Sequence, residues 1–218
     1  NSNGYQSDSN WFTNGRTYVT YSFKAGGNKN TFNVDDVGYA SAAAAGLDAG
    51  TVDPNKASVG TKQGFSIIEL TTSSSGTYTF AHGLGAKPSF LIARQYEASG
   101  HWYVWHQSMS ANNSYMLLNL TNSVNTCGTC WASTDMTSTL ITDTASAHWG
   151  TDQKMLYYAW TDVPGLQKFG KYAGNTNADG PYIDLGFSPA IVIIKKFNAG
   201  TNNWYMFDNQ LNKYNLST

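Results

Sequence analysis

The sequence predicts an all-β protein, a β-sandwich or jelly roll with two interlocked internal repeats and one short helix in an insertion. Three observations carry that expectation. First, only 12% of the 218 residues are charged while 14% are aromatic, against roughly a quarter charged in an average soluble domain. Such a chain has a polar, uncharged surface over an aromatic-rich interior. Long exposed helices require more Glu, Lys and Arg, and a nucleic-acid binder requires a basic face that a formal net charge of -1 does not supply. Second, short β-branched and aromatic runs alternate with Gly, Asn, Asp, Ser and Pro clusters, the spacing of a sandwich or jelly roll. Third, the chain repeats itself.

Taken in order, residues 1–16 read as a lead-in. They lack an initiator Met and the charged-then-apolar profile of a signal peptide, and no run approaches the ~18 apolar residues of a spanning helix. The chain is therefore expected to be soluble, and either processed or cut from something longer. A single domain then covers 17–218, its repeats spanning about 17–156 and 157–218. Residues 17–23 form its first expected strand. Residues 28–63 form an insertion, and the helical candidate lies within it at 37–45. The run Ala42 to Ala45 has high helix propensity, Asp35 or Asp36 is the N-cap, and Gly46 stands just past the end. So short a helix must pack on the sandwich to persist. Further strands are expected at 65–70, 77–81, 90–95, 102–106, 115–119, 140–142, 156–161, 182–185, 191–196 and 204–207.

The repeat is clearest where Gly85-Ala86-Lys87-Pro88-Ser89-Phe90-Leu91-Ile92 returns as Gly186-Phe187-Ser188-Pro189-Ala190-Ile191-Val192-Ile193. An aromatic strand follows each copy, Trp102-Tyr103-Val104-Trp105 and Trp204-Tyr205-Met206-Phe207, with one residue inserted in the second. Upstream, Gly76-Thr77-Tyr78 corresponds to Gly180-Pro181-Tyr182. Likewise, Tyr18-Val19-Thr20-Tyr21-Ser22-Phe23-Lys24-Ala25-Gly26 corresponds to Tyr157-Tyr158-Ala159-Trp160-Thr161-Asp162-Val163-Pro164-Gly165. The larger offset of this last pair assigns an insertion of about 38 residues to the first copy. The second copy has no equivalent of 115–149, so two units sharing strands in one sandwich explain the pattern better than two independent domains.

For function, aromatic strands suggest a glycan site, because an exposed indole stacks on the apolar face of a pyranose while Asn and Asp hold its hydroxyls. Trp102, Trp105 and Trp204 are the candidates. Strand alternation sends Trp102 and Trp105 to opposite faces, so one ring of such a pair belongs to the core. Cys127 and Cys130 read as two thiols, free or bridged in a disulfide, that clip a loop, since no helix follows for a redox motif and the histidines are scattered apart from a loose His101/His106 pair. Catalytic residues are not expected. Glu is limited to Glu69 and Glu97, most Asp residues sit in turns, and nucleophile-elbow and phosphate-loop motifs are absent. Calcium is a minor alternative at Asn33-Val34-Asp35-Asp36 and Asn175 to Asp179, neither of which has the spacing of an EF-hand loop. No metal or other cofactor is expected.

Four segments carry a resemblance. They are Lys24-Ala25-Gly26-Gly27-Asn28-Lys29-Asn30-Thr31-Phe32-Asn33-Val34-Asp35-Asp36-Val37-Gly38-Tyr39 continuing to Gly46, Val59-Gly60-Thr61-Lys62-Gln63-Gly64-Phe65-Ser66-Ile67-Ile68, Val163-Pro164-Gly165-Leu166-Gln167-Lys168-Phe169-Gly170-Lys171-Tyr172-Ala173-Gly174-Asn175, and Gly180-Pro181-Tyr182 through Lys195. The chain resembles a domain of uncharacterised function in tail-fibre and other virion-surface proteins of marine bacteriophages, including phages of cyanobacteria. The resemblance implies virion-surface or extracellular placement and a non-enzymatic structural or host-attachment role. It supplies no catalytic residues, and the Cys127/Cys130 pair is not part of its pattern. Expected partners are copies of the chain itself, in a trimer by analogy, other virion proteins, and a host surface glycan, without nucleic acid or membrane insertion. A low charge suits a particle in seawater, where salt screens charge pairs. The alternative reading is a carbohydrate-binding module or lectin of the extracellular space.

Overall fold

The computed structural model describes residues 15–210 except 19, 28, 73–75, 110–112, 129, 132–135 and 146–148. Thirteen strands are described, and the fold is all-β and sandwich-like. In chain order these are β1 (Phe32–Val34), β2 (Val37–Tyr39), β3 (Lys56–Gly60), β4 (Phe65–Thr71), β5 (Thr77–Ala81), β6 (Phe90–Gln95) and β7 (Tyr103–His106). They continue as β8 (Ser114–Leu117), β9 (Asn125–Thr126), β10 (Leu140–Thr144), β11 (Lys154–Trp160), β12 (Ile191–Lys195) and β13 (Trp204–Asp208).

Nine strands form one sheet in the order β2-β1-β3-β4-β11-β6-β7-β8-β9. Among the described strands only the β1–β3 pairing is parallel. β11 lies at the centre, antiparallel to β4 on one side and to β6 on the other, with Trp160 opposite both Phe65 and Phe90. Its burial alternates with period two: Met155, Tyr157 and Ala159 are buried, and Leu156, Tyr158 and Trp160 lie on the opposite face. The β5–β10 ladder forms a second layer over the buried face. Phe80 of β5 meets Tyr157 of β11 with ring centroids 4.6 Å apart. Between the layers Ile68, Leu70, Leu91, Met155, Tyr78 and Ile141 are sealed from solvent, and that burial is the main stabilising term.

At the middle of this core is the carboxylate of Asp143, opposite Tyr78 in the β5–β10 register and fully buried. Its Oδ2 accepts from the Tyr157 hydroxyl at 2.6 Å, the Trp149 indole at 3.0 Å and the Tyr78 hydroxyl at 3.2 Å. Its Oδ1 accepts from the backbone N–H of Thr144 at 2.7 Å and of Trp131 at 3.4 Å. Burying a carboxylate is costly unless donors replace its water. Here five donor groups surround it, the Tyr78 hydroxyl sharing its single proton between Asp143 and the Tyr157 hydroxyl, which lies 2.6 Å away. Desolvation, and then the neighbouring Asp143 charge, push the Tyr78 and Tyr157 hydroxyls well above the usual tyrosine range.

The structure corrects the helix expected at 37–45. Val37–Tyr39 is β2, and Asp35 and Asp36, both at positive φ (47° and 71°), form the two-residue turn between paired Val34 and Val37. That is the conformation of a type I′ hairpin, which Asp tolerates. The alanines make a single turn instead. The Ser41 hydroxyl, not an aspartate, accepts from Ala44 N at 3.1 Å, and Leu47 N donates to Ala42 O at 2.9 Å beyond Gly46 at φ 68°. Buried Leu47 pins the exit.

Two expected strands also fail to form. The described residues of 17–23 lie outside any ladder, and the segment is held by side chains, with Phe23 resting edge-on against Phe65 and Trp160. Residues 182–185 have no described partner doing for them what β10 does for β5, and Tyr182 is 91% exposed where its repeat counterpart Tyr78 is 1%.

The repeat itself is visible as two hairpins of the same register. Phe90↔His106 through Ala93↔Tyr103 in the first corresponds to Ile191↔Asp208 through Ile194↔Tyr205 in the second. Each is closed by the same backbone bond, Gln107 N to Ser89 O at 2.9 Å and Asn209 N to Ala190 O at 3.0 Å. The copies nevertheless sit in different sheets. β6–β7 belongs to the nine strands, whereas β12 and β13 pair only with each other among the described residues.

Two predictions follow from the core. Tyr157→Phe removes the shortest donor to Asp143 and is expected to cost about 2 kcal/mol, and Asp143→Ala, which orphans several buried donors, at least about 3 kcal/mol; urea denaturation of the three proteins reads both values. His82 is fully buried, its Nδ1 accepting from Leu84 N and its Nε2–H donating to Thr137 O, each at 3.2 Å. Desolvation lowers its pKa from 6.5 to about 4. The unfolded chain therefore takes up this proton first. The His82 contribution to stability should be intact above pH 6.5 and fall by about 3 kcal/mol as the pH drops to 4. Denaturation midpoints compared between His82→Gln and the parent across that range isolate the effect.

Candidate functional site

The outward face of the nine-stranded sheet follows from the same alternation that builds the core. Three cross-strand rows run over it. The first is Phe65, Trp160, Phe90 and His106; the second is Ile67, Tyr158, Ile92 and Val104. The third is Lys56, Glu69, Leu156 and Arg94, with Trp102 alongside at the entry to β7. The face thus grades from aromatic at one end to charged at the other.

The aromatic end is largely covered. Phe65 stacks on Trp160 at 4.6 Å and 20°, Phe90 stacks on Phe169 at 5.4 Å and 9°, and Phe23 packs across Phe65 and Trp160. Gln167 ties the covering loop down, its Nε2 donating to Thr161 O at 2.7 Å and Gly64 O at 3.1 Å. His106 lies at the edge of this end. Burial holds its pKa below the usual histidine range, partly opposed by Asp162, and its Nδ1 accepts from Ser108 N at 3.0 Å.

The charged end is open. The half-buried indole of Trp102 stacks on Tyr158 (6.3 Å between centroids, 26°), and the Arg94 guanidinium lies 4.7 Å from the indole centroid. Burial raises the Tyr158 hydroxyl, with Arg94 opposing. Asn119 Oδ1 accepts from Trp102 N at 3.2 Å, while its amide meets His101 Nδ1 at 3.1 Å. Around these sit two ion pairs, Lys56 with the half-buried Glu69 at 3.0 Å and the exposed Lys154–Glu97 at 2.6 Å. Chemically this is a ring with one cation, amides and a hydroxyl around it, a surface suited to binding a polar ligand that has an apolar face.

The three candidate tryptophans are not brought together. Trp102 is in this patch. Trp105 points into the core and is 4% exposed, so it offers no face to a ligand. Trp204 lies in the other sheet, where its indole N–H donates to Leu117 O at 3.0 Å, and Lys195 Nζ stands 5.8 Å from its ring centroid. Lys195 over Trp204 is the repeat counterpart of Arg94 over Trp102. Cys127 and Cys130 are joined in a disulfide, Cα atoms 5.7 Å apart, next to the fully buried Trp131. Its role is to hold a loop.

Asp35 and Asp36, in the first of the two calcium candidates, are engaged elsewhere. Asp35 accepts from the Thr61 hydroxyl and backbone N–H, which hold its carboxyl below the usual range, and Asp36 pairs with Lys24 at 2.9 Å. Among the described residues no group of three or more His, Cys, Asp or Glu side chains is placed to hold a metal ion. Sequence reasoning missed Arg94 and Tyr158. Both lie at outward positions of strands that were read correctly, but their meeting with Trp102 depends on cross-strand register.

No curated protein and no solved structure matches the chain. A family model does match, over residues 1–218. The chain belongs to that family, described as a domain of unknown function (DUF7483).

Proposed function

We propose that this chain is a non-enzymatic module of a bacteriophage virion surface, structural or host-attaching, and that it meets a host surface glycan through Trp102, Tyr158 and Arg94. The observation that carries the contact site is the open end of the sheet face. A half-exposed indole is held flat there by Tyr158 and flanked by Arg94 and Asn119. A rigid ring loses little entropy on binding, and polar groups at its rim supply direction. The virion placement rests on the segments that resemble phage surface proteins. A non-enzymatic role is supported by where the scarce acids sit: Glu69 and Glu97 are paired with lysines and Asp143 is enclosed in the core. Two carboxylates facing each other across a cleft, as glycoside hydrolysis requires, are not among these arrangements.

A second reading, a carbohydrate-binding module of the extracellular space, draws on the Trp102 patch alone and needs no particle. Two measurements separate the readings. Antibody raised to the chain should label the outside of purified phage particles in electron microscopy, and unlabelled particles would favour the second reading. On an array of host and marine polysaccharides, Trp102→Ala should weaken binding at least about tenfold, or about 1.4 kcal/mol, without lowering the melting temperature. Binding unchanged by that substitution would remove Trp102 from the site.

A further inference from the structure

We infer that the glycan met at Trp102 is an acidic one, and that Arg94 is the residue that recognises its carboxylate or sulfate group. The inference rests on the glycan reading of this patch and deepens it by naming the chemical class of the ligand. It starts from what Arg94 leaves unused. Of the five N–H groups of a guanidinium, Nε–H donates to Gln95 O at 3.3 Å, and no described residue accepts from the other four. The two carboxylates at this end of the face are taken by lysines, Glu69 by Lys56 at 3.0 Å and Glu97 by Lys154 at 2.6 Å. Arg94 is the cation of the patch that has no carboxylate among the described residues.

The second repeat copy shows the same geometry with its cation used internally. Lys195 pairs with Trp204 in the β12–β13 register, the place that Arg94 and Trp102 hold one step beyond the Ala93↔Tyr103 pair of the first copy. There the Lys195 ammonium donates to the carbonyls of Thr121, at 2.9 Å, and of Asn202, and the Trp204 indole N–H donates to Leu117 O at 3.0 Å. Cation and ring are both committed to backbone, and together they tie the hairpin to the segment after β8. In the first copy neither the terminal guanidinium nitrogens nor the Trp102 indole N–H has a described acceptor. Fastening a loop therefore accounts for Lys195 over Trp204 and does not account for Arg94 over Trp102.

The setting strengthens an anion's contact. Arg94, Trp102 and Tyr158 are all half-buried, so the guanidinium is less screened by water than a cation on open surface. Its Nε bond and its contact with the ring hold the side chain in place, and a planar fork held in this way loses little freedom when it binds. A carboxylate or a sulfate accepts two parallel N–H bonds from such a fork, and charge-assisted bonds are roughly twice as strong as neutral ones. A sugar hydroxyl offers neither the charge nor the paired acceptors. The guanidinium carbon is 4.7 Å from the indole centroid, within the span of one pyranose and its exocyclic group. A single acidic sugar residue can meet the ring and the cation together.

The test is an array carrying acidic glycans beside their neutral counterparts, oligouronates beside their methyl esters and sulfated galactans beside the desulfated chains. It is read with the full parent chain, Arg94→Gln, Arg94→Lys and Trp102→Ala. The parent is expected to bind an acidic member at least about tenfold more tightly than its neutral counterpart, and the oligouronate and galactan arms tell a carboxylate from a sulfate. Arg94→Gln should abolish that preference, Arg94→Lys, which keeps the charge and loses the fork, should retain part of it, and added NaCl should diminish it. The comparison on the parent needs no substitution, so it stands whatever the variants do to folding. Equal binding of acidic and neutral members by the parent overturns the inference, as does a preference that survives Arg94→Gln. If Trp102→Ala still weakens binding in either case, the glycan reading stands without it. An array that binds at no position overturns the glycan reading and this inference with it.

Discussion

The fold is organised around a carboxylate that must not be left alone. Asp143 lies on β10, in the smaller layer, and its shortest hydrogen bond comes from Tyr157 on β11, the central strand of the larger one. The bond therefore fixes the offset between layers that hydrophobic contact alone would leave free to slide. Apolar burial is non-directional, and any interdigitation of similar volume satisfies it about equally. A buried carboxylate accepts only the arrangement that brings Tyr78, Tyr157 and Trp149 to it together with two backbone donors. Two of these, Trp131 N and the Trp149 indole, come from outside the sheets. The irregular segments next to the core are thereby tied to the same point, and the Cys127–Cys130 disulfide holds the approach to Trp131.

What the sequence made legible follows from what is local. Alternation within 65–70, 77–81, 90–95 and 156–161 located β4, β5, β6 and β11 within one or two residues, because apolar positions two apart carry the information themselves. The alanine run misled, since propensity is a weak prior and three residues upstream were already committed to a hairpin. The Asp35-Asp36 turn lacks the Asn-Gly signal that would have announced it. Residues 17–23 and 182–185 teach a different lesson. Their composition makes them able to pair, but pairing also requires a free edge at the right distance, and one sequence does not record edges. The same limit applies to the site. Trp102 was legible as one ring of an alternating pair with Trp105, whereas Arg94 and Tyr158 join it only through pairings between strands dozens of residues apart.

The outward face explains why so few charges suffice. Water would penalise a broad sheet face lined with Phe65, Trp160, Phe90 and Tyr158 unless it were covered, and the chain covers one end with Phe23, Phe169 and a loop pinned by Gln167. Coverage stops short of Trp102, where Arg94 lies over the indole. A guanidinium is weakly hydrated and planar, so it shields a ring and still leaves it available to a ligand that can displace or share the contact. The gradient from closed to open along a single face is what gives the surface one candidate site in place of a uniformly sticky sheet.

The same hairpin has two fates in this chain. Register, closing bond and even the cation over the indole are repeated between β6–β7 and β12–β13, yet Trp105 is enclosed and Phe207 is not. The difference cannot come from the hairpins, which are locally equivalent. It comes from what lies beside and above them: β11 at the edge and β5–β10 over the face in the first copy, and neither among the described residues in the second. Burial is thus a property of the layer that arrives, and the strand that waits for it supplies only the pattern. A chain that repeats the pattern but not the layer divides its labour. The first copy, closed over Asp143, supplies stability, and the second presents Tyr205, Met206 and Phe207 to solvent. Surface exposed under those conditions can be spent on contact with another molecule without weakening the core that presents it.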